Sequence, residues 1–202
     1  MTDILSLDEG YSTTRLLTQE KPQIINTPED KFETVLFLPE GENRKGEGGL
    51  RTKGYFKKSF DDKPLISIIT VVFNGEKYLE ETIQSVINQT YSNVEYIIID
   101  GGSSDGTFDI IKKYEDKIDY WVSEKDKGIY DAMNKGWSLI NENSKILFLG
   151  AGDTILSLPS QKLLLSHDNY VIYGKVKLEN STFNSNHGWK LNLSNTLHHQ
   201  AL

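Results

Sequence analysis

The apolar positions of this 202-residue chain follow two different rules, and the change comes near Pro64. Beyond it, short β-branched runs alternate with stretches whose apolar residues recur at helical spacing. Residues 65–72 (LISIITVV) are nearly all apolar, as a strand buried on both faces should be. Leu79, Ile83, Val86 and Ile87 then follow at spacings of four, three and one, which marks one face of a helix. Residues 94–99 predict a second buried strand, Phe108 and Ile111 a short helix, and residues 118–122 a third strand. Ile129, Met133, Trp137 and Ile140 repeat at four, four and three and predict another amphipathic helix. Residues 145–149 read as a fourth strand, Leu163-Leu164-Leu165 as a helix and residues 170–176 as a further strand. This alternation predicts an α/β fold of Rossmann-like type: a mainly parallel sheet with helices on both faces.

Residues 1–63 have no such rhythm. They are polar, with one apolar stretch, Val35-Leu36-Phe37-Leu38. Residues 41–54 (GENRKGEGGLRTKG) are rich in Gly and charge, which predicts a loop or linker. The expected organisation is therefore a polar N-terminal extension or linker over 1–63 and one α/β domain over 64–202. Residues 41–60 hold six Lys/Arg against two Glu, a local charge of +4. Such a cluster reads either as a solvated connector or as a peripheral contact with anionic lipid head groups or a partner.

Charge and composition narrow the function. The formal net charge of −7 argues against nucleic acid as a partner, and favours phosphate that arrives bridged by a divalent cation. The absence of cysteine excludes disulfides, thiolate nucleophiles and cysteine-held metal sites. The N-terminus, MTDILSLDEG, has neither the basic nor the apolar region of a secretory signal. The apolar run from Leu65 to Phe73 is far shorter than the roughly 20 residues that cross a bilayer. A cytoplasmic protein is expected, with the inner face of the cell membrane in reach through residues 41–60.

In an open parallel sheet, ligands bind beyond the carboxyl ends of the strands. Here those ends read Phe73-Asn74-Gly75-Glu76, then Asp100-Gly101-Gly102-Ser103-Ser104-Asp105, then Ser123-Glu124-Lys125-Asp126-Lys127-Gly128, then Gly150-Ala151-Gly152-Asp153. Acidic and small polar residues collect at all four, while the strands are apolar. That concentration predicts a site for a polar ligand with a cation in it. No G-x-x-x-x-G-K-[ST] string occurs, and the turn after the first strand is not G-x-G-x-x-G, so P-loop and dinucleotide chemistry both lack their key feature.

Three linked segments carry a resemblance. PLISIITVVFNGEKYLEETIQSVINQTYSNVEYIIIDGGSSDGT, SEKDKGIYDAMNKG and FLGAGD resemble, in order and spacing, the signatures of inverting family 2 glycosyltransferases of GT-A fold, over about residues 64–156. A tail segment, LHHQA, is similar to a later His-Gln segment of bacterial members. The resemblance implies transfer of a sugar from a nucleotide diphosphate sugar to a saccharide or lipid-linked acceptor, in cell-surface polysaccharide assembly. It implies that Phe73 stacks on the base, with a core aromatic as the alternative. Asn74 and Glu76 would shape the donor pocket, and Asp100 would accept a hydrogen bond from base or ribose. Gly102, Asp126, Lys127, Asp131, Asn134 and Gly152 complete the implied donor set, while Asp105 reads as a helix cap. Asp153 matches the last acid of an Asp-x-Asp signature and would hold Mg²⁺ or Mn²⁺. The positions before it, Gly150, Ala151 and Gly152, depart from that signature in carrying no acid. The family's general base, an Asp in the acceptor half, has no counterpart here and is expected beyond Leu202. His198 and His199 are its weak stand-ins. Two other readings stand beside transfer: a noncatalytic nucleotide-sugar-binding module or inactive fragment, and a sugar nucleotidyltransferase. The latter wants a Gly-rich basic loop that Asn74-Gly75-Glu76 does not supply.

Overall fold

Four parallel strands and one antiparallel edge strand form the main sheet. The computed structural model describes residues 4–28, 33–41, 43–140, 143–166, 175–178 and 181–184. In chain order the elements are β1 (Gly46–Gly48), β2 (Ile66–Val72), α1 (Leu79–Ile87), β3 (Val94–Asp100), α2 (Thr107–Lys113), β4 (Tyr120–Ser123), α3 (Ile129–Ser138), β5 (Lys145–Gly150), α4 (Gln161–Leu165), β6 (Lys175–Leu178) and β7 (Ser181–Asn184). The sheet runs β1-β4-β3-β2-β5, with only β1 antiparallel. The strand order thus reverses at β2, whose neighbours β3 and β5 lie on opposite sides.

The chain divides into two compact units, Met1–Gln161 and Lys162–Leu202. Within the second, β6 and β7 pair antiparallel from Lys175↔Asn184 to Leu178↔Ser181. This hairpin lies where one strand over 170–176 was expected; residues 170–174 fall outside the described ones.

Both faces of the central strands are buried, which is why β2 and β3 show no alternation: every residue in each is buried. One face carries Ile69, Val71, Ile97, Ile99, Tyr120 and Val122 and packs against Ala132, Leu139 and Leu38. On α1, Leu79, Ile83, Val86 and Ile87 are buried, as their spacing predicts. On α3 the expected stripe is met in part: Met133 packs against the core and Ile140, just past the helix, is buried in it. Within the helix the fully buried residues are Ala132 and Gly136, while Ile129 is 57% exposed. The cause is close approach: a Cβ on Gly136 would stand 2.5 Å from Ile69 Cγ2, so only the smallest residues fit under this helix.

The largest departure from the sequence reading lies before Pro64. Residues 46–48, expected within a loop or linker, form the edge strand β1, paired from Gly46↔Ser123 to Gly48↔Trp121. Its glycines lie against the Trp121 indole; a Cβ on Gly48 would stand 2.8 Å from Nε1. Leu17, Leu36, Leu38, Leu50 and Phe56 are buried. Strand β4 starts at Tyr120 rather than 118, and the carbonyls just before it, of Ile118 and Asp119, accept from the amides of Leu50 and Arg51 at 2.9 and 2.8 Å.

A buried ion pair fastens this segment to the sheet. Arg51 Nη2 donates to Glu95 Oε1 at 2.7 Å, and both side chains are 1% exposed. The guanidinium also donates to the carbonyls of Leu36 at 3.2 Å and Leu139 at 2.9 Å. The second Glu95 oxygen accepts from Ser67 Oγ at 2.7 Å. Nearby, burial pushes the Lys57 amine down to about 8, against the opposing pull of Asp119 and Glu95.

Five of the six cations in residues 41–60 have internal partners, among them Lys58, whose ammonium stands 3.7 Å from Glu20 Oε2. Arg51 and Lys57 are buried, Arg44 holds Glu47 and Glu124, and Lys45 holds the Ser103 carbonyl. That leaves little of the +4 patch for a lipid surface. Breaking the Arg51–Glu95 pair by Glu95→Ala should cost about 3–5 kcal/mol, because it strands a buried guanidinium. The double variant Arg51→Met, Glu95→Leu should recover most of that loss, as read from urea unfolding midpoints.

Candidate functional site

The carboxyl ends of β2, β3, β4 and β5 bring four loops onto one rim. Those after β2 and β3 are stitched together by backbone and side chain. Asn74 N donates to Ser103 Oγ at 2.7 Å, and Asn74 Oδ1 accepts from Ser104 N at 2.8 Å. Gly75 N donates to Thr107 Oγ1 at 2.8 Å, and Glu76 N to Asp105 Oδ2 at 3.0 Å. Glu76 Oε2 accepts in return from Gly106 N at 3.1 Å. The backbone of Asn74 is left-handed, φ +52°, a conformation Asn tolerates better than most residues. The side chains of Asn74 and Glu76, implied as donor ligands, thus have one oxygen each committed to the neighbouring loop.

Asp100 is fully buried at the end of β3. Its oxygens accept from the Ser103 amide at 3.2 and 3.3 Å, from the Ser103 hydroxyl, and from Ser123 Oγ at 2.5 Å. A buried carboxylate needs such donors, and here they turn it inward as the anchor of the turn. Asp105 was expected to cap α2, but the cap position is Gly106; Asp105 lies one residue earlier and accepts from Thr107 N at 3.0 Å, closing the turn that leads into the helix. Partial desolvation raises its pKa, but the hydrogen bonds from Thr107 and from backbone amides outweigh this and hold it below the usual carboxylate range.

The loop after β4 lies on the loop after β3. A Cβ on Gly101 would stand 2.5 Å from Asp126 Oδ2, so any larger residue would push this carboxylate aside. Gly102, at φ +83°, approaches the Lys125 backbone to 3.2 Å by the same measure. Asp126 Oδ1 accepts from Gly128 N at 2.8 Å and Asp131 Oδ2 from Lys127 N at 3.1 Å, so both acids shape their own loop. Asn134 is exposed one turn further along α3. After β5, Gly152 N donates to Thr82 Oγ1 at 2.9 Å, Ile155 N to Ser85 Oγ at 3.0 Å and Leu158 N to Gln89 Oε1 at 2.9 Å, which ties this segment along α1. Asp153 is exposed beside the exit of β5, and its amide donates to Gly150 O at 3.0 Å. Phe73 is 66% exposed, so it is not a core aromatic.

Arg44 and Lys135, which nothing in the sequence places here, also meet at this rim, on the strand-end acid Glu124. Glu124, nearly buried, accepts from Arg44 Nε and pairs with Lys135 Nζ, both at 2.8 Å. Lys135 also reaches Asp131 at 3.7 Å. Arg44 comes from sequence that carries no periodic pattern, and only its pairing with β4 brings it here. His198 and His199 lie outside the described residues.

The family profile described as Glycosyl transferase family 2 matches residues 67–193. The chain belongs to this family. Its sheet, parallel but for one edge and covered by helices on both faces, has the GT-A character the resemblance implied. Among similar proteins, TuaG of Bacillus subtilis, assigned to teichuronic acid biosynthesis, is 43% identical over 77 residues, 36% of this chain and 30% of TuaG. A PGL/p-HBAD biosynthesis glycosyltransferase of Mycobacterium bovis (strain BCG) is 30% identical over 128 residues, 59% of this chain and 50% of that protein. The chain thus spans half or less of the relatives it matches. S. aureus TarS 1–349 in complex with UDP-GlcNAc aligns with a TM-score of 0.40 at 24% identity, over 45% of this chain and 27% of that one.

The stitch between the first two loops is testable without a ligand. Thr107→Val keeps the shape of a buried residue but removes the acceptor of Gly75 N and a donor to Asp105. It should cost about 1–3 kcal/mol, the penalty of an unsatisfied buried amide. Asp105 should also titrate at a higher pH in the variant, as NMR of its carboxyl would report. A depressed carboxylate adds stability that is present above its unfolded pKa and lost as pH falls through the folded one. The loop contribution of Asp105 should therefore fade at higher pH in Thr107→Val than in the parent.

Proposed function

We propose that this domain binds a nucleotide diphosphate sugar across the carboxyl ends of β2, β3, β4 and β5, as the donor in sugar transfer to a saccharide or lipid-linked acceptor. The observation that carries the reading is the reversal of strand order at β2. It opens a crevice between the loops after β2 and β5, the place where ligands bind in open α/β sheets. Phe73 stands exposed on one side of it and Asp153 on the other. The teichuronic acid and PGL/p-HBAD names of the relatives support a surface-glycan acceptor.

In this reading Phe73 stacks its ring on the base. The stitched loops 73–76 and 100–107 form the wall behind the nucleoside, with Asp100 fixing the turn. Asp126, Lys127, Asp131 and Asn134 line the side of the loop after β4, and Gly152 keeps the exit of β5 open. The donor set suits a cation shared with phosphate rather than a protein cage: among the described residues no three acids or histidines converge, while Asp153 is exposed at the exit of β5 with its carboxylate over Gly150. Mg²⁺ is commonly bound by one or two carboxylates together with substrate phosphates and water. Asp153 would hold it, and when bound it would neutralise the charge of the departing diphosphate. Among the described residues no helix is long and apolar enough to cross a membrane.

Calorimetry with a panel of uridine and thymidine diphosphate sugars, with Mg²⁺ or Mn²⁺ and then with EDTA, tests the reading. Binding that EDTA weakens is expected, and no binding of any nucleotide in the presence of metal would overturn it. Asp153→Asn should remove the metal-dependent part of the affinity while the unfolding midpoint stays near the parent's. Phe73→Ala should weaken binding with or without metal, by about 1–3 kcal/mol on the scale of base–aromatic stacking. A noncatalytic module would bind equally well, and only a transfer assay with acceptor separates the two.

A further inference from the structure

The family profile starts at residue 67, yet residues from well before it reach the rim. Residues 43–48 run alongside β4, with β1 ending the pairing at Ser123. The amide of Lys45 donates to Ser123 O at 2.8 Å, which fixes its backbone at the carboxyl end of the strand. Its ammonium donates to the carbonyl of Ser103, the residue that receives Asn74 N and anchors on Asp100. An ammonium carries three donors; the Ser103 carbonyl takes one, and Lys45 as a residue is exposed, so the others remain for a ligand. Arg44, beside it, is 13% exposed and donates to Glu124, Glu47 and the carbonyls of Leu38 and Pro39. Glu124 opens the loop that follows β4 and is shared with Lys135 of α3.

We propose that residues 43–48 form one wall of the donor site, with Lys45 as a cation that contacts the nucleotide and Arg44 as the positioning residue that holds this strap on the loop after β4. The inference rests on the donor-site reading above and adds to it a contribution from outside the family region. Electrostatics favours it. The rim gathers Glu76, Asp105, Asp126, Asp131 and Asp153, and an anionic diphosphate needs cations there besides a metal. Lys45 is held in place by a carbonyl rather than by a carboxylate, so its charge is not neutralised by its own contact.

Two measurements on the full chain decide it. The first is amide hydrogen exchange without ligand. Arg44→Met should speed exchange over residues 101–106 and 124–128, and Arg44→Lys should restore part of the protection. The second is affinity for the nucleotide sugar that binds in the panel above. Lys45→Met should weaken it by about threefold to tenfold, the range of one hydrogen bond, with an unchanged unfolding midpoint. Lys45→Arg should retain most of the affinity, and the loss in Lys45→Met should shrink as salt is raised. Unchanged exchange in Arg44→Met, or unchanged affinity in Lys45→Met, overturns the proposal. If the parent chain binds no nucleotide, the donor-site reading fails and the wall falls with it, whereas the exchange result still shows whether Arg44 orders the loop.

Discussion

A guanidinium taken out of water must find every partner it needs inside the protein. Arg51 does so by drawing together parts of the chain that have nothing else in common: Glu95 on β3, and the carbonyls of Leu36 and Leu139. Glu95 in turn holds Ser67 on β2, so the pair reaches across two central strands. With Arg51 fixed, its amide and that of Leu50 dock on the carbonyls just before β4, and β1 falls into register two residues upstream. The polar N-terminal segment is thereby a layer of the fold. Everything that Arg44 and Lys45 do at the rim follows from where this anchor puts them.

Where one physical force dominates, the sequence alone reveals the outcome. Strands β2 and β3 and helix α1 are set by burial, and their apolar runs and periodicity locate them to within a residue or so; the apolar run of β5 locates it equally well although only Leu149 in it is buried. The edge strand β1 escaped notice because Gly-Glu-Gly has no strand propensity. Its place comes from backbone bonds and from the need to lie flat on Trp121. The apolar stripe of α3 is only half of its contact: Met133 and Ile140 reach the core, but the deepest approach is set by the smallness of Ala132 and Gly136. Arg51 and Lys57 looked like surface charges because nothing local distinguishes a buried cation from a solvated one.

The candidate site divides the same way. The acids at the strand ends were visible as residues out of character with the strands that carry them. What each carboxylate does was not, because that depends on which backbone amides arrive from loops about 30 residues away. Several acids that looked ready to meet a ligand are instead engaged with amides and hydroxyls. Phe73 and Asp153, at the ends of the neighbouring strands β2 and β5, stay exposed.

The stitching of residues 74–76 to 103–107 has a consequence for inheritance. Each loop supplies side chains that saturate the backbone of the other, so neither sequence is self-sufficient. A substitution in one loop changes the fitness of residues in the other. Whatever these loops recognise is then a trait carried by the pair. Recombination that exchanged either loop by itself would break its bonds, while a transplant of both together would carry the wall across intact.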